Sequence, residues 1–184
     1  VTAHAHAHPG YRELHRYGLW LFIASEAFLF AVLLAVRFFF TGLEKPEALN
    51  IPLGIVLTVI LVSSSFTLHR GEKAAAAGDQ AGLRLGLLLT MGLGVVFLVI
   101  VGFEWAAGFA EFPASTPYGA VFYLITGTHA LHLLSGLLVL YSLYLQDKRG
   151  VLDEANRWKL EAGALYWHFI DVIWLSVFTT LYVL

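Results

Sequence analysis

The sequence predicts an all-α membrane protein, a bundle of five transmembrane helices with the N-terminus inside and the C-terminus outside. Three observations carry that expectation. The first is composition: of 184 residues, 59% are hydrophobic and 13% charged, about half the charge density of an ordinary soluble domain. With a mean hydropathy of +0.75, eleven Lys and Arg and thirteen Asp and Glu are too few to clothe a water-soluble globule of this length. The second is a set of five apolar stretches that reach or approach the roughly 20 residues a helix needs to cross the hydrocarbon core. The third is the placement of the basic residues, which fixes the direction of the bundle.

Residues 1–17 read as a polar, flexible tail. In it His4, His6 and His8 alternate with Ala, a pattern that either binds a transition metal loosely or is simply disordered. Residues 18–184 form one domain whose spans are 18–40, 51–68, 85–103, 118–145 and 162–184. The prolines respect these limits. Pro9, Pro46, Pro113 and Pro117 lie outside the spans, and Pro52 falls in the first turn of span two, where no helical N–H is lost. No stretch shows the apolar–polar alternation of a membrane β-barrel strand. The first apolar stretch is long enough to remain in the membrane, so a cleaved signal is not expected. The run Ala74–Ala77 reads as a helical extension or a simple loop.

Cytoplasmic loops of membrane proteins carry the excess of Lys and Arg. Arg12, Arg16, Arg70, Lys73, Arg84, Lys148, Arg149, Arg157 and Lys159 all fall on one side of a five-span chain, and only Arg37 and Lys45 on the other. A net charge of −2 leaves nothing to neutralise a run of phosphates, so nucleic acid is not an expected partner. The chain has no cysteine, which removes disulfides, iron–sulfur clusters and thiolate copper centres.

An ionisable group inside a transmembrane helix costs about 2.5–3.5 kcal/mol on insertion scales, so it needs a partner, a cavity or a task. Glu26, Arg37 and Asp171 are the charged residues within the spans. Arg37 is within a turn of its span's outer end and is expected to snorkel to the interface. It lies ~16 Å along the helix from Glu26, too far for an ion pair. Glu26 is therefore either protonated or bonded to a His from another helix. On span four, His129 and His132 share one face with Phe122, Ile125 and Gly136. On span five, Glu161, His168 and Asp171 form a polar stripe. Glu26, His168 and Asp171 come out ~9–14 Å from the inner ends of their spans, consistent with one shared polar slab. Glu104 and Trp105 read as an outer interface anchor, Glu111 as a loop residue. Ser63, Ser64, Ser65 and Thr67 read as hydroxyls bonded back to helix carbonyls.

These groups admit two readings. Interhelical hydrogen-bond glue accounts for His129, His132, His168 and Asp171, whereas Glu26 fits a structural and a protonic role equally well. A haem ligated by His129 and His168 would make the chain a small membrane cytochrome, but paired His beside acids suit a hydrogen-bond network better. Carriers show repeated halves and broken helices, which these spans lack. No zinc-protease helix motif, phosphate-binding glycine loop or nucleophile elbow occurs, so no catalytic, metal-ligating or cofactor-binding residue is assigned.

Three segments together resemble subunit III of the haem–copper terminal oxidases. They are Trp20-Leu21-Phe22-Ile23-Ala24-Ser25-Glu26-Ala27, then Gly127-Thr128-His129-Ala130-Leu131-His132 with Gly136, and Tyr166-Trp167-His168-Phe169-Ile170-Asp171-Val172-Ile173-Trp174 preceded by Glu161. They occur in the family's order and on successive matching spans, and the likeness runs from about Gly18 to Leu184. Thr128 stands where many relatives have Phe, Ala130 where Gly is usual, and Val101 where some have Gln. The resemblance implies the short, five-helix bacterial form in the cytoplasmic membrane, without the two further helices that complete a lipid-holding cleft in longer relatives. It implies a non-catalytic subunit with no cofactor of its own, packed beside subunit I and accompanied by subunit II. Haems and copper then reside in the partner subunits, and structural phospholipid is a further partner. The implied activity of the assembly is oxygen reduction to water coupled to proton translocation, with either cytochrome c or quinol as donor. Glu26, His129, His132, Glu161, His168 and Asp171 form the network that this resemblance associates with proton uptake. A subunit-III-like accessory protein of a nitric oxide reductase fits the same motifs.

Overall fold

The computed structural model describes residues 9–47, 49–152 and 156–184, with side chains from Leu14 onward. The His4, His6 and His8 run lies outside the described residues. Five long helices follow one another: α1 Pro9–Thr41, α2 Ile51–Ala76, α3 Gln80–Glu111, α4 Pro117–Lys148 and α5 Arg157–Phe178, the last ending in a π-helical turn, Thr179–Val183. All five are long and apolar enough to cross a membrane, and no strand occurs among the described residues. Each helix outruns its apolar span. Residues 9–17, grouped with the tail above, form the first turns of α1, and the Ala74–Ala77 run closes α2. Hydropathy marks only the part of a helix that crosses hydrocarbon, while intrahelical hydrogen bonds continue into the headgroup region.

Side chains define the helix starts. Asn50, Asp79 and Thr116 each accept a hydrogen bond from a backbone N–H three residues on, at 3.0, 2.9 and 3.1 Å. Pro52 sits in the first turn of α2. Gly78 (φ +79°) and Gly150 (φ +68°) end α2 and α4 in the left-handed region that a side chain disfavours.

Helices α1, α4, α3 and α2 pack in that order around an arc, and α5 packs against α1, α2 and α4 within it. The most intimate contact is the α2–α3 hairpin, where Gly71 and Gly86 let the two backbones touch. The centre holds Leu57, Leu61, Leu87, Phe97, Phe122, Leu133, Trp167 and Trp174, all essentially inaccessible. An indole N–H cannot be buried unpaired at low cost. The Trp167 Nε1 donates to Ser64 Oγ and the Trp174 Nε1 to Thr58 Oγ1, each at 3.0 Å. As the α2 number rises the α5 number falls, so the two helices run antiparallel, as spans two and five must.

Candidate functional site: two interhelical polar clusters

The polar slab expected from span depths is resolved into two separate clusters and one isolated histidine. The first cluster joins α1, α4 and α5. Glu26 Oε2 lies 2.9 Å from His132 Nε2, and the other ring nitrogen of His132 is 2.8 Å from the Thr128 carbonyl. That carbonyl can only accept, so Nδ1 carries the proton and Nε2 faces the carboxyl. Ser135 extends the cluster, since its hydroxyl is 2.7 Å from that of Tyr166 on α5 and 2.7 Å from the His132 carbonyl. The two ionisable side chains retain 20% and 15% exposure, at the outer surface of the bundle rather than in its centre.

The second cluster joins α2 to the opposite face of α5. The Ser65 hydroxyl donates to Asp171 Oδ2 and lies 2.7 Å from His168 Nδ1. The His168 Nε2 in turn faces Glu72 Oε2 at 3.8 Å. Asp171 is 7% exposed, and its Oδ1 has no hydrogen-bond partner among the described residues. Beside His168 a cavity of about 890 Å³ opens between the N-terminal parts of α1 and α5 and the end of α2, lined among others by Arg16, Glu72, Arg157, Glu161 and His168. Glu161 therefore borders the cavity that reaches this cluster.

His129 belongs to neither. It is 1% exposed, neither ring nitrogen has a partner among the described residues, and it packs against Phe97 and Trp174 at ring distances of 5.9 and 5.3 Å. His129 and His168, the pair a bis-His haem would need, face different neighbours. Among the described residues no three His, Asp or Glu side chains converge as metal ligands do.

Three expectations are corrected. Arg37 does not snorkel. It is fully buried, turned back onto the end of its own helix, where it donates to Thr41 Oγ1, to the Gly42 carbonyl at 2.6 Å and to the Glu44 carbonyl at 2.9 Å, with Tyr118 under its guanidinium. The orphan carbonyls of the helix end offer that charge more acceptors than the surface does. Glu104 is not an exposed anchor but 8% exposed, bonded to Tyr182. Ser64 and Thr67 bond back to helix carbonyls as expected, whereas Ser65 bonds across to α5.

Ser65, Glu72, Ser135 and Tyr166 carry both clusters; Ser65 was read only as back-bonded and Tyr166 only as part of a motif segment, and Glu72 and Ser135 were not singled out in the sequence. A signal existed for two of them: Thr58, Ser65 and Glu72 recur every seven residues, one face of a helix. Ser135 offered none, being an ordinary interface residue by type. An ion pair with one buried partner was also missed, Arg84 Nε to Asp147 Oδ2 at 2.5 Å across α3 and α4.

Comparisons with known proteins agree with the motifs. The family model for cytochrome c oxidase subunit III matches residues 2–184. The chain is similar to cytochrome c oxidase subunit 3 of Synechocystis sp., 32% identical over 98% of this chain and 80% of the relative. It is also similar to cytochrome c oxidase subunit 3 of Thermostichus vulcanus, 34% identical over 98% of this chain and 91% of the relative. A probable quinol oxidase subunit 3 of Staphylococcus aureus is 31% identical over all of this chain and 94% of its own length. Together with the five spanning helices, these relatives make the protein a multi-pass integral protein of the bacterial cytoplasmic membrane. The chain belongs to the cytochrome c oxidase subunit III family, a subunit of the haem–copper oxidases.

Proposed function

We propose that the chain is a non-catalytic subunit that packs beside subunit I, in company with subunit II, and sustains proton uptake through Glu26 and His132. Its termini lie inside and outside respectively, as the basic residues direct. It carries no haem or copper of its own, which the absence of thiolates supports for copper. The observation that carries the reading is the Glu26–His132 contact at 2.9 Å, made between two helices at the bundle surface. At the surface of a membrane-spanning bundle such a pair faces lipid or a partner subunit, where an ionisable side chain is costly unless it has a further partner or a task. Here the carboxyl and the imidazole remain within reach of a partner subunit, and an imidazole is suited to exchanging protons near neutral pH.

The test is Glu26→Gln in the assembled oxidase. The amide keeps the shape and one acceptor but cannot release a proton. The variant is expected to assemble in normal yield, to start at normal turnover and then to lose activity progressively while turning over. Stable turnover with full proton pumping would reduce the pair to packing and overturn the reading.

A further inference from the structure

The α2–α5 cluster has a direction that glue does not require. Thr58, Ser65 and Glu72 form one stripe on α2, and the antiparallel α5 sets His168 and Asp171 against it. At one end is the cavity of about 890 Å³, whose wall includes Arg16, Glu72, Arg157, Glu161 and His168. Leu19, Trp20, Trp158, Ala162 and Leu165 complete an otherwise apolar wall, and the charged groups gathered on it need water where they have no protein partner. His168 keeps 35% and Glu72 26% of its side-chain exposure there. At the other end is Asp171, 7% exposed, with one carboxyl oxygen unpaired among the described residues. Beyond it, among the described residues, the Trp174 N–H donates to the Thr58 hydroxyl, which donates in turn to the Gly54 carbonyl of its own helix. An indole N–H cannot accept a proton, so the chain stops at Asp171.

We propose that Asp171 is a proton-holding carboxyl filled from the aqueous cavity through Glu72, His168 and Ser65. The 3.8 Å between Glu72 Oε2 and His168 Nε2 exceeds a direct hydrogen bond and is closed by one water or a small rotation. His168 starts neutral with its proton on Nδ1. A proton arrives at Nε2 from Glu72 or a cavity water, giving an imidazolium. The Nδ1 proton passes to Ser65 Oγ as the Ser65 hydroxyl proton passes to Asp171 Oδ2. One proton has entered and one is stored; the serine is unchanged, and His168 is neutral again with its proton on Nε2. Return of the proton along the same atoms resets the tautomer. The groups facing His168 are Glu72 and Ser65 from α2, Glu161 and Asp171 from α5, and across the cavity Arg16 from α1 and Arg157 from α5. This proposal deepens the reading above and rests on it for the use the enzyme makes of the store.

Two measurements on the assembled oxidase test it without turnover, so their failure is distinct from that of the Glu26 experiment. The chain has no cysteine, so an introduced thiol is its sole thiol. In permeabilised vesicles a water-soluble maleimide should label His168→Cys while Leu133→Cys, at a fully buried site, stays protected. Protection of both would show a dry cluster and overturn the proposal. The second is infrared detection of hydrogen–deuterium exchange at the Asp171 carboxyl, its band assigned by loss in Asp171→Asn or displacement in Asp171→Glu. Ser65→Ala should slow that exchange about 100-fold, while Ser65→Thr, which keeps the hydroxyl, restores it. Exchange in Ser65→Ala as fast as in the parent would remove the serine from the path and refute the relay.

Discussion

The Tyr182 hydroxyl lies 2.9 Å from both carboxyl oxygens of Glu104 and donates to the pair. It links the π-helical turn at the chain's end to α3, and the same turn is held by Lys45 Nζ, 2.7 Å from the Val183 carbonyl, and by the Tyr118 hydroxyl, 2.8 Å from the Leu181 carbonyl. Tyr182 is fully buried and Glu104 nearly so, which leaves water no ready access to replace a lost donor. Tyr182→Phe is therefore expected to cost about 1–3 kcal/mol, read as a lower midpoint for heat-driven dissociation of the purified complex. Combining it with Glu104→Leu should recover part of the loss, because neither partner is then left unsatisfied. An unchanged midpoint in Tyr182→Phe would show that the bond contributes nothing net.

The two histidines of span four should behave differently. His129 makes no hydrogen bond to the described residues, so His129→Leu removes a poorly satisfied polar group from an aromatic box. His132→Leu strips Glu26 of its partner. The first is expected to leave the complex's thermal midpoint within about 1 kcal/mol of the parent, and the second to lower it by about 1–3 kcal/mol. The reverse order in a thermal-melt comparison would contradict the assignment.

Arg84 and Asp147 form an asymmetric pair, with side chains 41% and 3% exposed. Arg84→Ala leaves a buried carboxylate alone, whereas Asp147→Ala leaves an arginine that water can reach. The arginine deletion should be the more destabilising by at least about 1 kcal/mol, with complex yield as a second readout. Equal losses would mean that the carboxylate finds another donor.

A Cβ on Gly86 would lie 2.6 Å from Gly71 Cα and 3.0 Å from the Thr67 carbonyl oxygen, both backbone atoms that cannot swing aside. Gly86→Ala should therefore force α2 and α3 apart at about 1–3 kcal/mol and lower the yield of assembled complex. Gly92→Ala on the same helix, where a Cβ meets nothing within 4 Å, is the control and should be neutral or slightly stabilising. Equal behaviour of the two would dispose of the close-contact argument.

Much of the molecule was legible before any coordinates. The bilayer as solvent leaves helices or closed barrels as the only spanning structures, so apolar run lengths and proline positions sufficed for five helices. The three motif segments sufficed for the family, and the scarcity of intramembrane charge singled out Glu26 and Asp171. What a single helix cannot reveal is which neighbour its polar face meets. His129 and His132 share a face but lie about 60° apart around the helix axis, and that offset places His132 on Glu26 and leaves His129 among Phe97 and Trp174. Arg37 and Glu104 were misjudged for the same reason. Each lies near a span end where exposure is the default, and each is covered by a distant segment: Tyr118 packs on the Arg37 guanidinium, whose hydrogen bonds go to the turn just after α1, and the chain's last turn covers Glu104. Sequence determined the number of spans and the family, because each rests on transfer energies and spacings local to one segment. The pairings of Ser65 with Asp171, Glu26 with His132 and Tyr182 with Glu104 were decided by tertiary structure alone, because they depend on how helices are rotated about their axes and slid past one another.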